Sequence, residues 1–393
     1  MIPRGVTDVA NETLPTLDRR SFLVAPLAAA AVIADAGQAA ATTTGNTVFT
    51  GDVVNGKKVV STLDIADLEP GQKHLLYFRG VESATGQPWL VSVLVAKGRL
   101  PGKRITLTSG VHGDEMSSIR VVQLVMDQLE PAQMAGSVMA VFDIARPALE
   151  GMQRRWPNQG RGIDLVDMNR EWPGNENGAT ASSRQAGLLF NRVLRPNSDI
   201  ALDFHTGTTG LDCNDWIIGN RQIPEVKTMI DLFPVRQVLD SPAYPGVLHN
   251  AFTDAGIPSI CPEVGAARIL DPKLVAPFVE GTMNILKHYG VIGGTIGRTA
   301  TDAGMFIGNS AAPILATEGG FIEHLVALND KVQAGQKVVV QRNAFGETVA
   351  EYASPVDGEV GAIRSDASSE PGNGLMFILF NRAPASGDSG YPE

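Results

Sequence analysis

Hydrophobic and polar positions change their spacing several times along the 393-residue chain. Between residues 74 and 97, apolar side chains alternate with polar ones, most clearly at Val91, Val93 and Val95. This two-residue period predicts strands. Further along, short apolar runs are followed by longer stretches whose apolar positions recur at helical spacing. The succession predicts strands and helices that follow one another in the chain.

Four predicted strands and four predicted helices carry this succession. The strands lie at residues 105–108, 138–142, 200–204 and 257–261, and the helices at 116–129, 185–193, 247–255 and 274–289. Because strands that alternate with helices form sheets covered on both faces, the fold class is α/β, with a mixed, mostly parallel sheet between helical layers. Ligands of such sheets bind at the carboxyl ends of the strands.

The pattern changes at about residue 313, where short strands with frequent glycine begin and only residues 323–328 have a helical pattern. This part resembles the small barrel of lipoyl and biotinyl carriers, but residues 346–360 hold no lysine that could be modified. We therefore expect two domains: an α/β domain at residues 42–310, which carries the candidate catalytic residues described below, and a small, all-β, barrel-like C-terminal domain at 311–384. The Ser- and Pro-rich residues 385–393 are expected to fray.

The first 41 residues have the pattern of an export signal. Arg19 and Arg20 precede a short apolar run, which is followed by small residues. The run is too short for a transmembrane helix, which needs about 20 apolar residues. The paired arginines resemble the twin-arginine signal, so we expect a periplasmic or secreted protein, exported in the folded state by the twin-arginine translocase and free of the membrane after cleavage.

Composition and charge exclude several classes of protein. Hydrophobic residues make up 44% of the chain and charged residues 19%, which is ordinary for a globular protein. With 32 Lys and Arg against 42 Asp and Glu, the net charge of −10 argues against binding to nucleic acid. The two cysteines, Cys213 and Cys261, allow at most one disulfide, and buried free thiols are an equal alternative.

Three residues at predicted strand ends form a candidate metal site. His112 and Glu115 follow the strand at 105–108, and their spacing of three lets an imidazole and a carboxylate point at one ion. His205 follows the strand at 200–204. A His, Glu, His set is one of the ligand sets of catalytic zinc, which keeps a fourth position open for water.

Other polar residues at the same predicted edge complete a candidate catalytic site. Glu263 follows the apolar strand at 257–261 and is a candidate proton acceptor that later protonates a leaving nitrogen. Asn169 and Arg170 are adjacent, and an arginine fork beside an amide suits a substrate carboxylate.

In this order, the motifs resemble those of the succinylglutamate desuccinylase and aspartoacylase family, a branch of the zinc carboxypeptidase fold. They are His112-x-x-Glu115, Asp167-x-Asn169-Arg170, His205-Thr206 and Glu263-x-Gly265, followed by a small β domain. The resemblance covers roughly residues 75–380. It implies one zinc ion per chain on His112, Glu115 and His205, Glu263 as general base and acid, and Asn169 with Arg170 as the carboxylate site.

The same resemblance implies two further roles. Asp167 is expected to orient the first zinc histidine by a hydrogen bond. An arginine upstream of Asn169 is expected to polarise the scissile carbonyl, and we assign Arg155, with Arg154 and Arg161 as alternatives. Asp203 shares a strand face with His205 and is a further candidate to hold it.

The sequence therefore predicts a zinc-dependent amidohydrolase that cleaves an N-acyl bond of a small, carboxylate-bearing substrate such as an N-acyl amino acid. Two alternatives stay open. One is a periplasmic zinc carboxypeptidase or amidase that acts on cell-wall peptides, and the other is a zinc-containing binding protein without catalysis. The sequence shows no HExxH, GxSxG or P-loop motif, which argues against thermolysin-type proteases, α/β-hydrolases and P-loop enzymes.

Overall fold

A computed structural model describes residues 41–157, 165–213, 215–242 and 244–382, and the statements below concern these residues. The expected export signal, except for Ala41, the alternative Arg161 and the expected frayed tail all lie outside them. Within the described ranges, no helix is long and apolar enough to cross a membrane.

The larger part of the chain, up to about residue 308, contains helices and strands. Its strands are β1 (Thr42–Thr44), β2 (Thr47–Val54), β3 (Lys57–Thr62), β4 (Gln72–Glu82), β5 (Pro88–Lys97), β6 (Leu100–Thr108), β7 (Ala135–Val141), β8 (Ile200–Asp203), β9 (His205–Gly207), β10 (Leu211–Asp212), β11 (Asp215–Gly219), β12 (Gln237–Asp240), β13 (Ser259–Ala266) and β14 (Phe306–Gly308). Its helices are α1 (Met116–Asp127), α2 (Arg146–Glu150), α3 (Ala181–Leu189), α4 (Pro224–Asp231), α5 (Leu248–Asp254), α6 (Pro272–His288) and α7 (Ala300–Ala303).

One large mixed sheet organises this part. Its order is β1-β2-β3-β4-β5-β7-β6-β8-β13-β11-β12-β14, and β9 also pairs with β13. The central strands β7, β6, β8 and β13 are parallel neighbours, whereas β4, β5 and β7 pair antiparallel. The α/β class with a mixed sheet is confirmed.

Two hydrophobic cores cover the two faces of this sheet. Strand β7 shows the division, because Met139 and Val141 belong to one core and Val138 and Ala140 to the other. The first core takes side chains from α3 and α5, and the second from α1, α4 and α6. Helices therefore lie on both faces, and the loops after β6 and β8 are left at the carboxyl edge of the sheet.

The C-terminal part is all β, as expected. Its strands are β15 (Ser310–Leu315), β16 (Gly320–His324), β17 (Lys331–Val332), β18 (Lys337–Arg342), β19 (Thr348–Ala353), β20 (Gly358–Arg364), β21 (Ser368–Ser369) and β22 (Gly374–Phe380). They form two small sheets, one of which also takes in β10 from the larger part. The helical pattern at residues 323–328 was misleading, because Glu323 and His324 pair with β18 as part of a strand and residues 325–328 form bends and a turn.

Candidate metal centre and active site

The turn between β6 and α1 carries His112 and Glu115. Within it, Gly110 has a φ of 69°, and a Cβ there would lie 2.4 Å from the carbonyl oxygen of Phe142. Only glycine combines this conformation with this close approach. The turn buries both candidate ligands, with His112 and Glu115 each about 1% exposed.

His205 reaches the same place from the neighbouring strands. It opens β9 directly after β8, and its Cα partner on β13 is Glu263. The backbone N–H of Thr206 donates a hydrogen bond of 3.2 Å to Oε2 of Glu115, which ties β9 to the first turn. The strand register thus brings His205, Glu115 and Glu263 to one edge of the sheet.

The three candidate ligands converge on one point. Nδ1 of His112 lies 2.8 Å from Oε1 of Glu115, and Nδ1 of His205 lies 2.9 Å from Oε2. The two Nδ1 atoms are 3.2 Å apart. One donor atom from each residue lies within 4.8 Å of the others, and all three side chains are buried. This is a compact His, Glu, His cluster.

A carboxylate holds the outer nitrogen of each histidine. Nε2 of His112 donates to Oδ1 of Asp167 at 2.9 Å, and Nε2 of His205 donates to Oδ2 of Asp203 at 3.0 Å. Asp203 is itself held by the hydroxyl of Thr108, which donates at 2.7 Å. We assign the ring hydrogens to Nε2 from these contacts, so the lone pair of each Nδ1 faces the cluster.

The electrostatics of the cluster favour a positive charge at its centre. Burial opposes ionisation of Glu115, but the neighbouring imidazoles hold its pKa well below the usual range. Burial likewise lowers the pKa of His205, yet the carboxylates of Asp203 and Glu115 raise it well above the usual value. A converging set of two imidazoles and one carboxylate with surplus negative charge fits a zinc ion.

Glu263 lies within β13 rather than at its end, three residues before Ala266. Its Oε2 is buried and has no hydrogen-bond partner among the described residues, while Sγ of Cys261 lies 3.7 Å from Oε1. Burial raises the pKa of Glu263 to about 8. The carboxyl group therefore has a free oxygen beside His205.

Cys213 and Cys261 are both free, buried thiols, so of the two expectations, a disulfide or free thiols, the structure has the second.

Of the expected arginines, the structure brings Arg154, an alternative, into the site and leaves Arg155, the first choice, outside it. Arg154 lines the cavity, where its guanidinium contacts Oε1 of Glu115 at 2.8 Å and Oδ2 of Asp167 at 3.3 Å. Arg155 is exposed and does not line the cavity. The chain bends at residues 154 and 155 before the buried Trp156, so the two neighbouring arginine side chains leave it in different directions.

Asn169 and Arg170 both line the cavity but have different surroundings. Asn169 is buried, and its Oδ1 accepts a hydrogen bond of 2.9 Å from the N–H of Leu248 at the start of α5. Arg170 is exposed, donates to the carbonyl of Asn169 at 2.7 Å and lies 5.6 Å from the ring centre of Tyr244. Asn169 therefore shapes the site, and Arg170 adds a cationic side chain to the cavity lining.

His249 is a cavity residue that the sequence did not single out. It lies on α5 with 4% of its surface exposed, and neither ring nitrogen has a hydrogen-bond partner among the described residues. Burial lowers its pKa to about 4, so the ring is neutral at pH 7. No motif marks it, because it has no companion at ligand spacing.

The cavity that these residues line has a volume of about 280 Å³ and is partly open to solvent.

The arrangement matches known proteins in sequence and in fold. Residues 101–289 match the family described as the succinylglutamate desuccinylase/aspartoacylase catalytic domain. A relative from Halomonas elongata, the N-alpha-acetyl-L-2,4-diaminobutyric acid deacetylase, is 26% identical over 311 residues, which are 76% of this chain and 87% of the relative.

Solved structures show the same fold. The succinylglutamate desuccinylase/aspartoacylase from Rhodobacter sphaeroides aligns with a TM-score of 0.70 and 20% identity over 80% of this chain and 98% of its own. The product-bound ectoine utilization protein EutE from Ruegeria pomeroyi aligns with a TM-score of 0.71 and 18% identity over 81% of this chain and 98% of its own. Residues 101–289 therefore form a catalytic domain of the succinylglutamate desuccinylase/aspartoacylase type, and this match together with the deacetylase relative supports hydrolase activity of the deacylase type.

Proposed function

We propose that this protein is a zinc-dependent amidohydrolase that removes the acyl group from a small N-acyl amino acid with a free carboxylate. The observation that carries the proposal is the convergence of His112, Glu115 and His205, with both outer imidazole nitrogens held by carboxylates. The name of the Halomonas elongata relative, a deacetylase of an N-acetylated amino acid, agrees with this substrate class.

His112, Glu115 and His205 would hold one zinc ion per chain. When bound, such an ion supplies Lewis-acid chemistry, which activates water as a nucleophile and polarises the scissile carbonyl. Asp167 and Asp203 keep the two imidazoles in the tautomer that binds metal, and partners of this kind typically contribute about 10- to 100-fold in metal affinity or activity.

Glu263 is the proposed general base and acid. Its unpaired Oε2 and its register beside His205 support this role, because they leave a carboxylate oxygen free beside the proposed metal site. The water oxygen forms a bond to the acyl carbon and the carbon–nitrogen bond breaks. One water proton passes through Glu263 to the leaving nitrogen. The products are a carboxylic acid and a free amine.

The two cavity arginines have separate proposed roles. Arg154 lies against Glu115 and Asp167 and is placed to stabilise the negative charge that develops on the carbonyl oxygen. Arg170, at the mouth of the cavity, is the proposed partner of the substrate carboxylate, because its planar fork matches two carboxylate oxygens.

The decisive experiment combines metal analysis with two variants. We expect near-stoichiometric zinc in the purified protein and loss of both zinc and activity in Glu115→Ala. Glu263→Gln removes the proton acceptor but no ligand, so it should keep its zinc and lose turnover. A fully active protein without metal would overturn the proposal, and unchanged turnover in Glu263→Gln would assign the base elsewhere.

Assays of N-acyl amino acids beside cell-wall peptides separate the proposed reaction from the carboxypeptidase alternative. Hydrolysis of the peptides alone would favour that alternative. Zinc binding without turnover of either class would favour the binding protein.

A further inference from the structure

The cavity wall beyond Glu263 is apolar. In the sheet, β11 and β12 follow β13, and the Cα partner of Glu263 on β11 is Trp216. Paired residues on neighbouring strands point to the same face, so Trp216 stands beside Glu263. By the same register, Ile218 stands beside Cys261, and Leu239 on β12 extends this surface.

The C-terminal β strands complete this apolar lining. Ala311 on β15, Ala362 on β20 and Phe377 on β22 belong to the same hydrophobic cluster as the residues of β11 and β12. Six of the cluster's side chains that line the cavity are Trp216, Ile218, Leu239, Ala311, Ala362 and Phe377. We call the space between them the apolar cleft. Apolar surface that faces a cavity gains free energy when an apolar ligand group covers it.

The charged groups lie at the other end of the cavity. Among the described lining residues, the guanidinium groups belong to Arg154 and Arg170, and Arg154 already pairs with Glu115 and Asp167. The guanidinium group of Arg170 is therefore left to bind one substrate carboxylate. A second carboxylate that entered the apolar cleft would be desolvated without a cationic partner, at a large cost in free energy.

Arg170 and the apolar cleft lie on opposite sides of the proposed reaction centre. Arg170 follows Asn169, which packs at the start of α5 and lies 3.5 Å from Nε2 of His205. The apolar cleft lies on the far side of Glu263, toward β11 and β12. A substrate whose carboxylate meets Arg170 then directs the group across its amide bond into the apolar cleft.

We propose that the apolar cleft holds the acyl group, and that the preferred substrates are N-acyl amino acids whose acyl group is apolar and longer than acetyl. This specificity rests on the proposed deacylase reaction. It excludes dicarboxylic acyl groups such as succinyl, which would place an unpaired charge among apolar side chains.

The test compares acyl groups on one amino acid with the zinc-loaded, full-length protein. Each buried methylene contributes roughly fourfold, so we expect kcat/KM for the N-hexanoyl derivative to exceed that for the N-acetyl derivative by at least about tenfold. The N-succinyl derivative should be the poorest of the three. Equal rates, or a preference for succinyl, would overturn the acyl assignment while leaving the deacylase reaction in place. No hydrolysis of any derivative would instead overturn the proposed function.

A pair of leucine variants tests the location. Leu239→Asn puts a polar group into the apolar cleft and should lower the hexanoyl-to-acetyl ratio of kcat/KM about tenfold. The matched control is Leu315→Asn, because Leu315 is 49% exposed and does not line the cavity. An unchanged ratio in a folded Leu239→Asn protein would place the acyl group elsewhere. If the rate instead follows the side chain of the amino acid in an N-acetyl series, the apolar cleft binds that side chain and the proposal is wrong.

Discussion

At the scale of single residues, Arg154 and Arg155 form a natural pair for comparison. Arg154 contacts Glu115 and Asp167, whereas its neighbour is exposed. We expect Arg154→Ala to lower kcat/KM about 10² to 10³-fold, as is typical when one stabiliser of developing negative charge is removed. Arg155→Ala should stay within about twofold of the wild type.

Zinc content is measured in both arginine variants, because Arg154 also touches a proposed metal ligand. Retained zinc with lost turnover supports the direct role. A large loss in Arg155→Ala and a small one in Arg154→Ala would restore the original sequence assignment.

Arg170 provides a second residue prediction, on carboxylate recognition. Lysine keeps the charge but not the planar fork, so Arg170→Lys should lower kcat/KM for a substrate acid about tenfold while changing little for the corresponding amide. The measurement is the acid-to-amide ratio of kcat/KM in both proteins. The same ratio in both would show that Arg170 only supports its loop, through Asn169 and Tyr244.

The sequence pointed to His112, Glu115 and His205 because each follows a recognisable strand, and the structure brings the three together. The sequence favoured Arg155, which the structure places outside the cavity, over Arg154, which lines it. Two adjacent arginines look alike in the sequence, because the bend in the chain that separates their directions has no periodic pattern. No sequence signal marked His249. Its burial in the cavity depends on how α5 docks beside β8.

At the scale of elements, the turn from β6 to α1 depends on close backbone contact. A Cβ on Gly113 would lie 2.0 Å from the carbonyl carbon of Ala148 in α2, so the two segments must separate if a side chain is added. We expect Gly113→Ala to lower zinc occupancy and activity more than tenfold and to destabilise the fold by about 1–3 kcal/mol. The measurements are zinc content, kcat/KM and denaturant unfolding.

Gly293→Ala is the matched control, because no heavy atom lies within 4 Å of a Cβ at that position. It should leave zinc content, activity and stability unchanged. Full zinc occupancy in Gly113→Ala would mean that the turn does not need this contact.

Elements with a strong local pattern were predicted well, and those set by distant partners were not. The helix predicted at residues 274–289 corresponds to α6, whose apolar stripe packs against the sheet. Residues 323–328 have helix-forming side chains, but pairing of Glu323 and His324 with β18 overrides that local preference. The predicted helix at residues 185–193 corresponds to α3, which begins four residues earlier than predicted and continues into a π-helical turn at Phe190–Leu194.

At the scale of the whole molecule, the cavity joins parts of the chain that are far apart in sequence. The larger part supplies the metal cluster and part of the apolar lining, and β15, β20 and β22 complete that lining. The short strand β10 pairs with β20 across about 150 positions, so the C-terminal strands are attached directly to the cavity rim. No local pattern encodes such pairing, and for this reason the sequence left the role of the C-terminal part open.

Export is the remaining prediction from the sequence at this scale. If Arg19 and Arg20 form a twin-arginine signal, replacing both with lysine should retain most of the protein in the cytoplasm of a bacterial host. Cell fractionation followed by immunoblotting measures this. Unchanged export of the double variant would exclude the twin-arginine route, and cytoplasmic wild-type protein would exclude export altogether.

The short distance between the two histidines of the cluster has a consequence for thermal stability. His112 and His205 are 93 positions apart in the chain, yet their Nδ1 atoms lie within 3.2 Å. An ion that binds both histidines acts as a reversible cross-link between two remote segments of the chain. At a free zinc concentration about 1,000-fold above Kd it would add about 4 kcal/mol to the free energy of unfolding. A chelator should therefore lower Tm by several degrees in the wild type and have no effect in His205→Ala, as measured by calorimetry. The same Tm for zinc-loaded and chelated wild type would show that the cross-link does not stabilise the fold.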